Sequence, residues 1–285
     1  MVTLRIANLI KSINMKSKIA LKTPISYYGG KQNLATTIIN LIPEHSLYCE
    51  PFVGGAAIFF AKQPSKVEVI NDTNKEMINF YRQVQTNYVA LEQEVRISLH
   101  SRAQHRHAQV INQNPDMFTE IKRAWAVWML ASQSYSSKLD GHWGYDVSKN
   151  TMSKKIVNKK VAFTEDYAIR LQNVQIECTD ALRIIRSRDK ADSFFYCDPP
   201  YFNSNCGHYD GYTIEDFDML LKLLSEIEGK FLLSSYPSPI LKEYTKKNGW
   251  HQIEVKQSVS VANVHGKPGK IKTEVMTSNY PLKAI

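Results

Sequence analysis

The chain has 285 residues, enough for a sizeable core in one large domain or two ordinary ones. With 43% apolar and 22% charged residues, 12 Gly and 11 Pro, it is neither disordered nor collagen-like, and no run approaches the roughly 18 unbroken apolar residues of a membrane span. Thirty-six Lys and Arg against 27 Asp and Glu give a net charge of +9, which favours a polyanionic partner without dictating a fold.

Residues 1–23 carry Arg5, Lys11, Lys16, Lys18 and Lys22 with no acid among them. Their apolar runs are broken and no small-residue cleavage site follows, so they read as a basic N-terminal arm rather than a signal peptide. From Thr23 to about Met77 short strands alternate with helices. Leu34–Leu41 has helical spacing, Leu47–Phe52 is a strand-like run ending at a glycine pair, and Val67–Ile70 is a brief strand. Thr73-Asn74-Lys75-Glu76 reads as a capping box opening a helix with the apolar face Met77, Phe80, Tyr81 and Val84. This alternation predicts a parallel α/β sheet.

Between residues 79 and 165 the texture becomes helical, notably over Ile121–Leu130. A polar segment from Ser132 to Asp146 follows, with a β-hairpin signal at Asp140-Gly141. Next comes an acid-free tract with Lys149, Lys154, Lys155, Lys159 and Lys160. Strands return at Val174–Cys178, Phe194–Cys197, Phe231–Ser234 and Val275–Tyr280. Thr213–Glu228 predicts a helix with a Thr213/Asp216 capping box, a stripe of Phe217, Leu220, Leu221, Leu224 and Ile227, and Gly229 as its stop. The expected organisation is a catalytic α/β domain over residues 24–78 and 166–285, interrupted by a mostly helical insertion over residues 79–165.

Asp198-Pro199-Pro200-Tyr201 follows the buried-strand run Phe194–Cys197, and ligand chemistry in open α/β sheets lies beyond the carboxyl ends of strands. Two prolines fix two φ angles and remove two backbone donors, and Asp198 before them is pushed toward extended backbone. The corner therefore offers a carboxylate, carbonyls without competing amides and an aromatic face, a set suited to a neutral planar amine. Glu50–Gly55 places Gly54 and Gly55 just past a strand, where bare backbone approaches a ligand closely. Asp72 follows Gly54 by 18 residues, near the spacing at which an acid binds a ribose diol, or it caps the next helix. Gly29-Gly30-Lys31 lacks the spacing of a Walker loop, and Lys31 alone also reads as a surface lysine at a helix start.

Asp198-Pro199-Pro200-Tyr201 resembles the catalytic motif of DNA methyltransferases that modify the N6 amino group of adenine. The chain from Pro24 onward is similar to the Dam-like subgroup of that family. Tyr27-Tyr28-Gly29-Gly30-Lys31 resembles its opening motif, Glu50-Pro51-Phe52-Val53-Gly54-Gly55 its cofactor loop, Asn71-Asp72 its next strand end, and Glu274-Val275-Met276 with Asn279-Tyr280 its closing strand. The resemblance implies a Rossmann-like, S-adenosylmethionine-dependent methyltransferase sheet, with a helical DNA-recognition insertion carrying a β-hairpin. It implies a cofactor held by Tyr27, Lys31, Glu50, Phe52, Gly54, Gly55, Asp72, Asp180 and Asp198; a helix cap is the other reading of Asp180.

The activity so implied is site-specific methylation of a flipped-out adenine in double-stranded DNA, in a restriction-modification, phage or orphan-methylase setting. A cognate restriction endonuclease is the further partner such a setting implies. Asp198, Pro199, Pro200 and Tyr201 form the expected catalytic group, with Phe202 as packing and no metal. The expected DNA contacts are Lys138, His142, Trp143, Lys149, Lys154 and Lys155 in the insertion, and Lys267 and Lys270 in a late loop. Two departures stand out. Ala56 occupies a place where the family often has glycine. Ser136, Lys138, Gly144 and Asp146 replace the residues with which GATC-reading members recognise their site.

The remaining polar clusters point elsewhere. His100, His105 and His107, beside Arg102 and Arg106, read as a solvated helix face. The chain has four cysteines and neither a CxxC pair nor a Pro-Cys dipeptide, so a zinc ribbon and cytosine-C5 chemistry are both disfavoured, and a reducing cytoplasmic location fits. The alternatives left open are an RNA adenine-N6 enzyme, a cytosine-N4 enzyme and a catalytically silent DNA-binding relative.

Overall fold

The predicted strand runs form strands, with ends shifted by a residue or more. These are β1 (Leu47–Glu50), β2 (Val67–Asn71), β3 (Gln175–Glu177), β4 (Ser193–Cys197), β5 (Lys230–Ser235) and β7 (Ile271–Ser278). The computed structural model describes residues 20–203, 211–258 and 271–282. Most of the expected N-terminal arm, and Lys267 and Lys270, lie outside the described residues. β6 (His251–Ser258) has no counterpart in the sequence reading, because its mixed polar residues form no apolar run. The helices are α1 (Ala35–Leu41), α2 (Ala57–Ala61), α3 (Lys75–Thr86), α4 (Tyr88–Ile97), α5 (Arg102–Gln113), α6 (Glu120–Gln133), α7 (Thr151–Ala162), α8 (Asp166–Leu171), α9 (Ala181–Arg188), α10 (Ile214–Leu224) and α11 (Pro239–Asn248).

The chain divides into two units that exchange segments. One comprises Met1–Ile39, Val53–Pro64 and Asp72–Cys178, the other Asn40–Phe52, Ser65–Asn71 and Thr179–Ile285. The second unit is α/β. Its strands lie in the order β2-β1-β4-β5-β7-β6, parallel from β2 to β5, with β7 antiparallel to both β5 and β6. Every residue of β4 is buried, as expected of a central parallel strand covered on both faces. Helices α9, α10 and α11 supply Ile184, Ile185, Phe217, Leu220, Leu221 and Leu241 to a core with Cys49, Phe195, Phe231 and Leu233. Each fully buried large apolar side chain contributes roughly 1.5–3 kcal/mol. β1 lies between β2 and β4, so the chain order reverses there, and the loops after β1 and β4 leave the same edge side by side.

The first unit contains α2 to α8 and is centred on α6. Every residue of α6 from Ala124 to Gln133 is buried, the pattern of a helix enclosed on all sides. It packs against α3, α4 and α5, and Arg123 makes a paired contact to Glu76 of α3 at 3.0 and 2.6 Å.

Several expectations are corrected. The cap of α3 is Asn74, whose Oδ1 accepts from the amides of Glu76 and Met77, one residue later than the predicted box; Met77, Phe80, Tyr81 and Val84 are all fully buried as predicted. The Thr213/Asp216 box forms with both hydrogen bonds. The helix it opens stops at Leu224 rather than Glu228, because Ser225 turns its hydroxyl back onto the Lys222 carbonyl at 2.6 Å. Gly229 instead leads into β5, donating its N–H to Asp189. Among the described residues of the insertion no paired strands form. The predicted hairpin is a single antiparallel bridge, Ser134 to Trp143, beside a tight turn at Tyr135–Ser137 in which Ser136 and Ser137 have positive φ. Nor are the three histidines a uniform solvated face: His105 is buried and bonds Ser134 Oγ at 2.8 Å.

Candidate active site

In the second unit the corner Asp198–Tyr201 leaves the end of β4 as expected. Asp198 is half-buried and Pro199 buried. The Tyr201 hydroxyl lies 3.1 Å from Asp198 Oδ1 and 2.9 Å from Ser234 Oγ of β5. Ser234 in turn is 3.5 Å from Glu274 Oε2 of β7, so a chain of polar atoms runs inward from Asp198 to a buried carboxylate. Burial, followed by the carboxylates of Asp198 and Glu274, raises the Tyr201 pKa well above its usual value. The phenol therefore stays protonated and can donate to Asp198. Its ring meets Tyr236 at 4.4 Å between centroids. Phe202 packs on Phe217 of α10, as predicted.

On the neighbouring strand, Glu50 ends β1 almost fully buried and accepts a 2.5 Å hydrogen bond from Tyr48. Phe52, in the loop that follows, sets its ring edge-on to Tyr212. Asn71 at the end of β2 is buried and ties two loops down. Its Nδ2 donates to the carbonyls of Pro51 and Thr179, and its Oδ1 accepts from the Thr179 amide. Asp180 caps α9, with Oδ1 accepting from the Arg183 amide at 3.0 Å, so its helix-cap reading is realised. Burial, then the Asp198 charge, raises the Cys197 thiol far above its usual range, which makes it inert as a nucleophile.

The first unit holds the glycine loop. The Gly54 amide donates to Asp72 Oδ2 at 2.9 Å and its carbonyl accepts from Tyr81 at 2.6 Å. The Thr23 hydroxyl donates to the Gly55 carbonyl. Tyr27 lies directly on this loop: a Cβ at Gly55 would sit 2.8 Å from Tyr27 Cβ, and one at Gly54 3.2 Å from its ring. Both glycines are thus required by close approach, and Gly54 also has a positive φ of 42°. Ala56 adopts left-handed backbone (φ 55°, ψ 34°) while bearing a side chain, a strained conformation that glycine would relieve.

Asp72 Oδ1 accepts from the Asn74 amide, so Asp72 forms a turn ahead of the helix rather than capping it. Burial raises its pKa, and the backbone N–H groups of Asn74, Gly54 and Thr73 pull it back. Each carboxylate oxygen keeps accepting capacity beyond these bonds. Lys31 is buried, with Nζ 3.3 Å from the Gly29 carbonyl, rather than lying on the surface. Burial, then Asp72 and Asp140, raises the Tyr27 pKa to about 12.

The insertion residues divide into two kinds. Lys149, Lys154, Lys155 and His142 are exposed. Lys138 places its ammonium over the Tyr28 ring at 5.2 Å. Trp143 is a framework residue: its indole N–H donates to buried Gln133 at 3.1 Å, and its ring stacks on Tyr145 and lies beside His100. His100 bonds both Ser153 Oγ and the Gly144 carbonyl. Asp146 accepts from Thr151 Oγ1 and the Met152 amide at the start of α7. Among the described residues no group of His, Cys, Asp and Glu could hold a metal, and no helix is long and apolar enough to cross a membrane.

Sequence reasoning missed Asn71 as a staple, Tyr81 and Thr23 as loop anchors, and Ser234 with Glu274 behind Tyr201. Asn71 and Glu274 stood in recognised motifs and Tyr81 on a predicted buried face, but the contacts they make join residues distant in sequence; Thr23 and Ser234 carried no signal of these roles.

Residues 27–259 match the family model described as D12 class N6 adenine-specific DNA methyltransferase. The chain is 29% identical to the Type II methyltransferase M1.LlaDCHI of Lactococcus lactis subsp. cremoris, over 93% of this chain and 98% of that protein. It is 24% identical to the DNA adenine methylase of Escherichia coli (strain K12), over 83% and 88% respectively. The DNA N-6-adenine-methyltransferase of Escherichia phage P1 is also 24% identical, over 78% of this chain and 31% of its own length.

Proposed function

Given that this chain belongs to the D12 class N6 adenine-specific DNA methyltransferase family, we propose that it transfers a methyl group from S-adenosylmethionine to the N6 atom of a flipped-out adenine at a specific site in duplex DNA. The observation that carries the reading is the Asp198–Tyr201 corner, at the reversal point of the sheet and braced by Ser234.

S-adenosylmethionine, when bound, supplies a methyl group on a sulfonium that a nucleophile can displace. The chain has the donor set for such a ligand. The loop at Gly54 and Gly55 is anchored through its own backbone, Asp72 retains oxygen lone pairs for a diol, and Tyr27 and Lys31 adjoin the same loop. Glu50, Phe52 and Asp180 are proposed as cofactor contacts on the family resemblance.

Asp198 does the chemistry proper. The adenine amino group is a weak nucleophile because its lone pair is delocalised into the ring. Accepting its N–H hydrogens at the Asp198 carboxylate and the Pro199 carbonyl draws the nitrogen toward tetrahedral geometry and frees the lone pair. Positive charge then grows on N6, and a preplaced carboxylate stabilises it; holding the reactants together lowers the barrier further. Tyr201 keeps Asp198 oriented through its phenol and offers its face to the base. Pro200 stiffens the corner.

The target base must leave its pair and its stack, and the insertion over residues 79–165 takes the role of holding the duplex. Lys149, Lys154 and Lys155 approach phosphates, while Lys138, His142 and Trp143 lie on the loop nearer the bases. The basic N-terminal arm and the loop with Lys267 and Lys270 would add backbone contacts. The Type II name of the Lactococcus relative supports a restriction-modification setting with a cognate endonuclease; the location proposed with it is the cytoplasm.

The test is incubation of the purified protein with labelled S-adenosylmethionine and, in parallel, duplex DNA or RNA. Label in duplex DNA supports the reading. Label in RNA alone points to the RNA enzyme, and cofactor binding without transfer, or neither, to a silent relative.

A further inference from the structure

Within the first unit, the loop from Ser134 to Asp146 contains no Arg, Asn or Gln. Those are the residue types whose planar groups pair a base edge through two hydrogen bonds in fixed geometry. A guanidinium reaches the loop from elsewhere. Arg102, the first residue of α5, lies with Cζ 4.8 Å from the Trp143 ring centroid and 5.4 Å from that of Tyr145. The two rings stack at 18° and 5.5 Å. Trp143 is fixed by Gln133, and the adjoining His100 by Ser153 and Gly144, so the surface beneath the guanidinium is rigid.

Arg102 is exposed, and its guanidinium makes no hydrogen bond or ion pair among the described residues. A planar cation lying over two rings, with its N–H donors unspent, is available for bidentate recognition. Arg106, one turn along α5, has no ring beneath it among the described residues, so it lacks this orientation.

We propose that Arg102 is a specificity-determining residue that reads a guanine through its O6 and N7 in the major groove, with Trp143 and Tyr145 as positioning residues. The inference rests on the DNA-methylating reading above and adds that one base of the target site is a guanine read from α5.

The experiment measures methylation rates on a duplex library with randomised bases around the target adenine, for the wild type, Arg102→Lys and Arg102→Ala, with melting curves as a folding control. The wild type should require guanine at one position. Both variants should lose that preference by at least tenfold, Arg102→Lys included, because an ammonium keeps the charge and loses the paired geometry. On duplexes already lacking that guanine, the variants should match the wild type.

A uniform loss of rate with preference unchanged, and a salt dependence of binding shallower by about one phosphate, would assign Arg102 to the DNA backbone and overturn the proposal. Full retention of preference in both variants would overturn it too. A wild-type protein that methylates no adenine defeats the functional reading itself; a methylating wild type with an unaltered guanine preference in both variants defeats only the role of Arg102.

Discussion

The corner at Asp198–Tyr201 and the loop at Ser134–Asp146 are both irregular segments with proposed work to do, and they are held by different means. The corner is stiffened within its own four residues by two prolines, then locked by one phenol to Asp198 and Ser234. The loop has no proline. It carries two consecutive serines in left-handed backbone, Ser136 and Ser137, at a cost of order 1–3 kcal/mol each. Its shape depends on residues outside it: Gln133, buried at the end of α6, accepts from Trp143 and donates to the Leu99 carbonyl, and His105 reaches Ser134 from α5. Chemistry that is the same for every target suits a locally encoded corner. A surface that selects one target among many suits a loop whose shape is set by its surroundings and can be changed without touching the corner.

Asp198→Ala should reduce methyl transfer by at least about a thousandfold, the upper range for a lost electrostatic stabiliser. Circular dichroism and melting temperature should stay near wild type, because a half-buried carboxylate at a strand end holds little of the core. Unfolding of this variant would mean that the corner is structural. Gln133→Ala should do the reverse, destabilising the protein by about 2–4 kcal/mol in denaturant titration through a cavity and unpaired buried partners. Any variant protein that stays folded should keep the methylated atom unchanged.

The insertion also tolerates a buried amine at Lys159. Burial, and secondarily the nearby Lys155, lowers its pKa from 10.5 to about 7, with Ser132 Oγ 3.3 Å from its amine. The unfolded amine keeps its proton up to pH 10.5 and the folded one releases it near 7. The unfolded state therefore binds more protons in between, and stability rises with pH across that window. Below about pH 7 both states are charged and the penalty is complete. Lys159→Met should remove a slope of up to about 1.4 kcal/mol per pH unit, measured as the difference between wild-type and variant denaturation curves from pH 7 to 10. Identical slopes would contradict the assignment. The smallest effect belongs to Ala56→Gly: relief of left-handed strain, offset by the entropy of glycine, should stabilise by no more than about 1 kcal/mol. A clear destabilisation would show that the Ala56 methyl earns its place in the core.

What was legible in the sequence follows the same division. β4 and its corner could be read because Phe194–Cys197 is uninterrupted and Asp198–Tyr201 is contiguous. The parallel strands and the α10 capping box were legible for similar reasons of local pattern. β6 was hidden because its residues pair with β7 without forming an apolar stripe. The predicted hairpin reduced to one bridge because Asp140-Gly141 signals a tight turn, whereas the loop's backbone bonds, Tyr135 amide to His142 carbonyl and Gly144 amide to Gln133 carbonyl, enclose a wider one. Asp72 was recognised as an acid at a useful spacing, but its grip on the Gly54 amide joins residues 18 apart. The burial of His105 depends on a partner 29 residues away. No local pattern encodes either contact.

The central claim is that a carboxylate and carbonyl at the end of β4 accept the hydrogens of an adenine amino group during methyl transfer. It is tested most directly by digesting duplex DNA to nucleosides after reaction with methyl-labelled S-adenosylmethionine, and locating the label by mass spectrometry. The account predicts N6-methyl-2′-deoxyadenosine as the labelled nucleoside. Label on cytosine, or on a ring nitrogen of adenine, would contradict it.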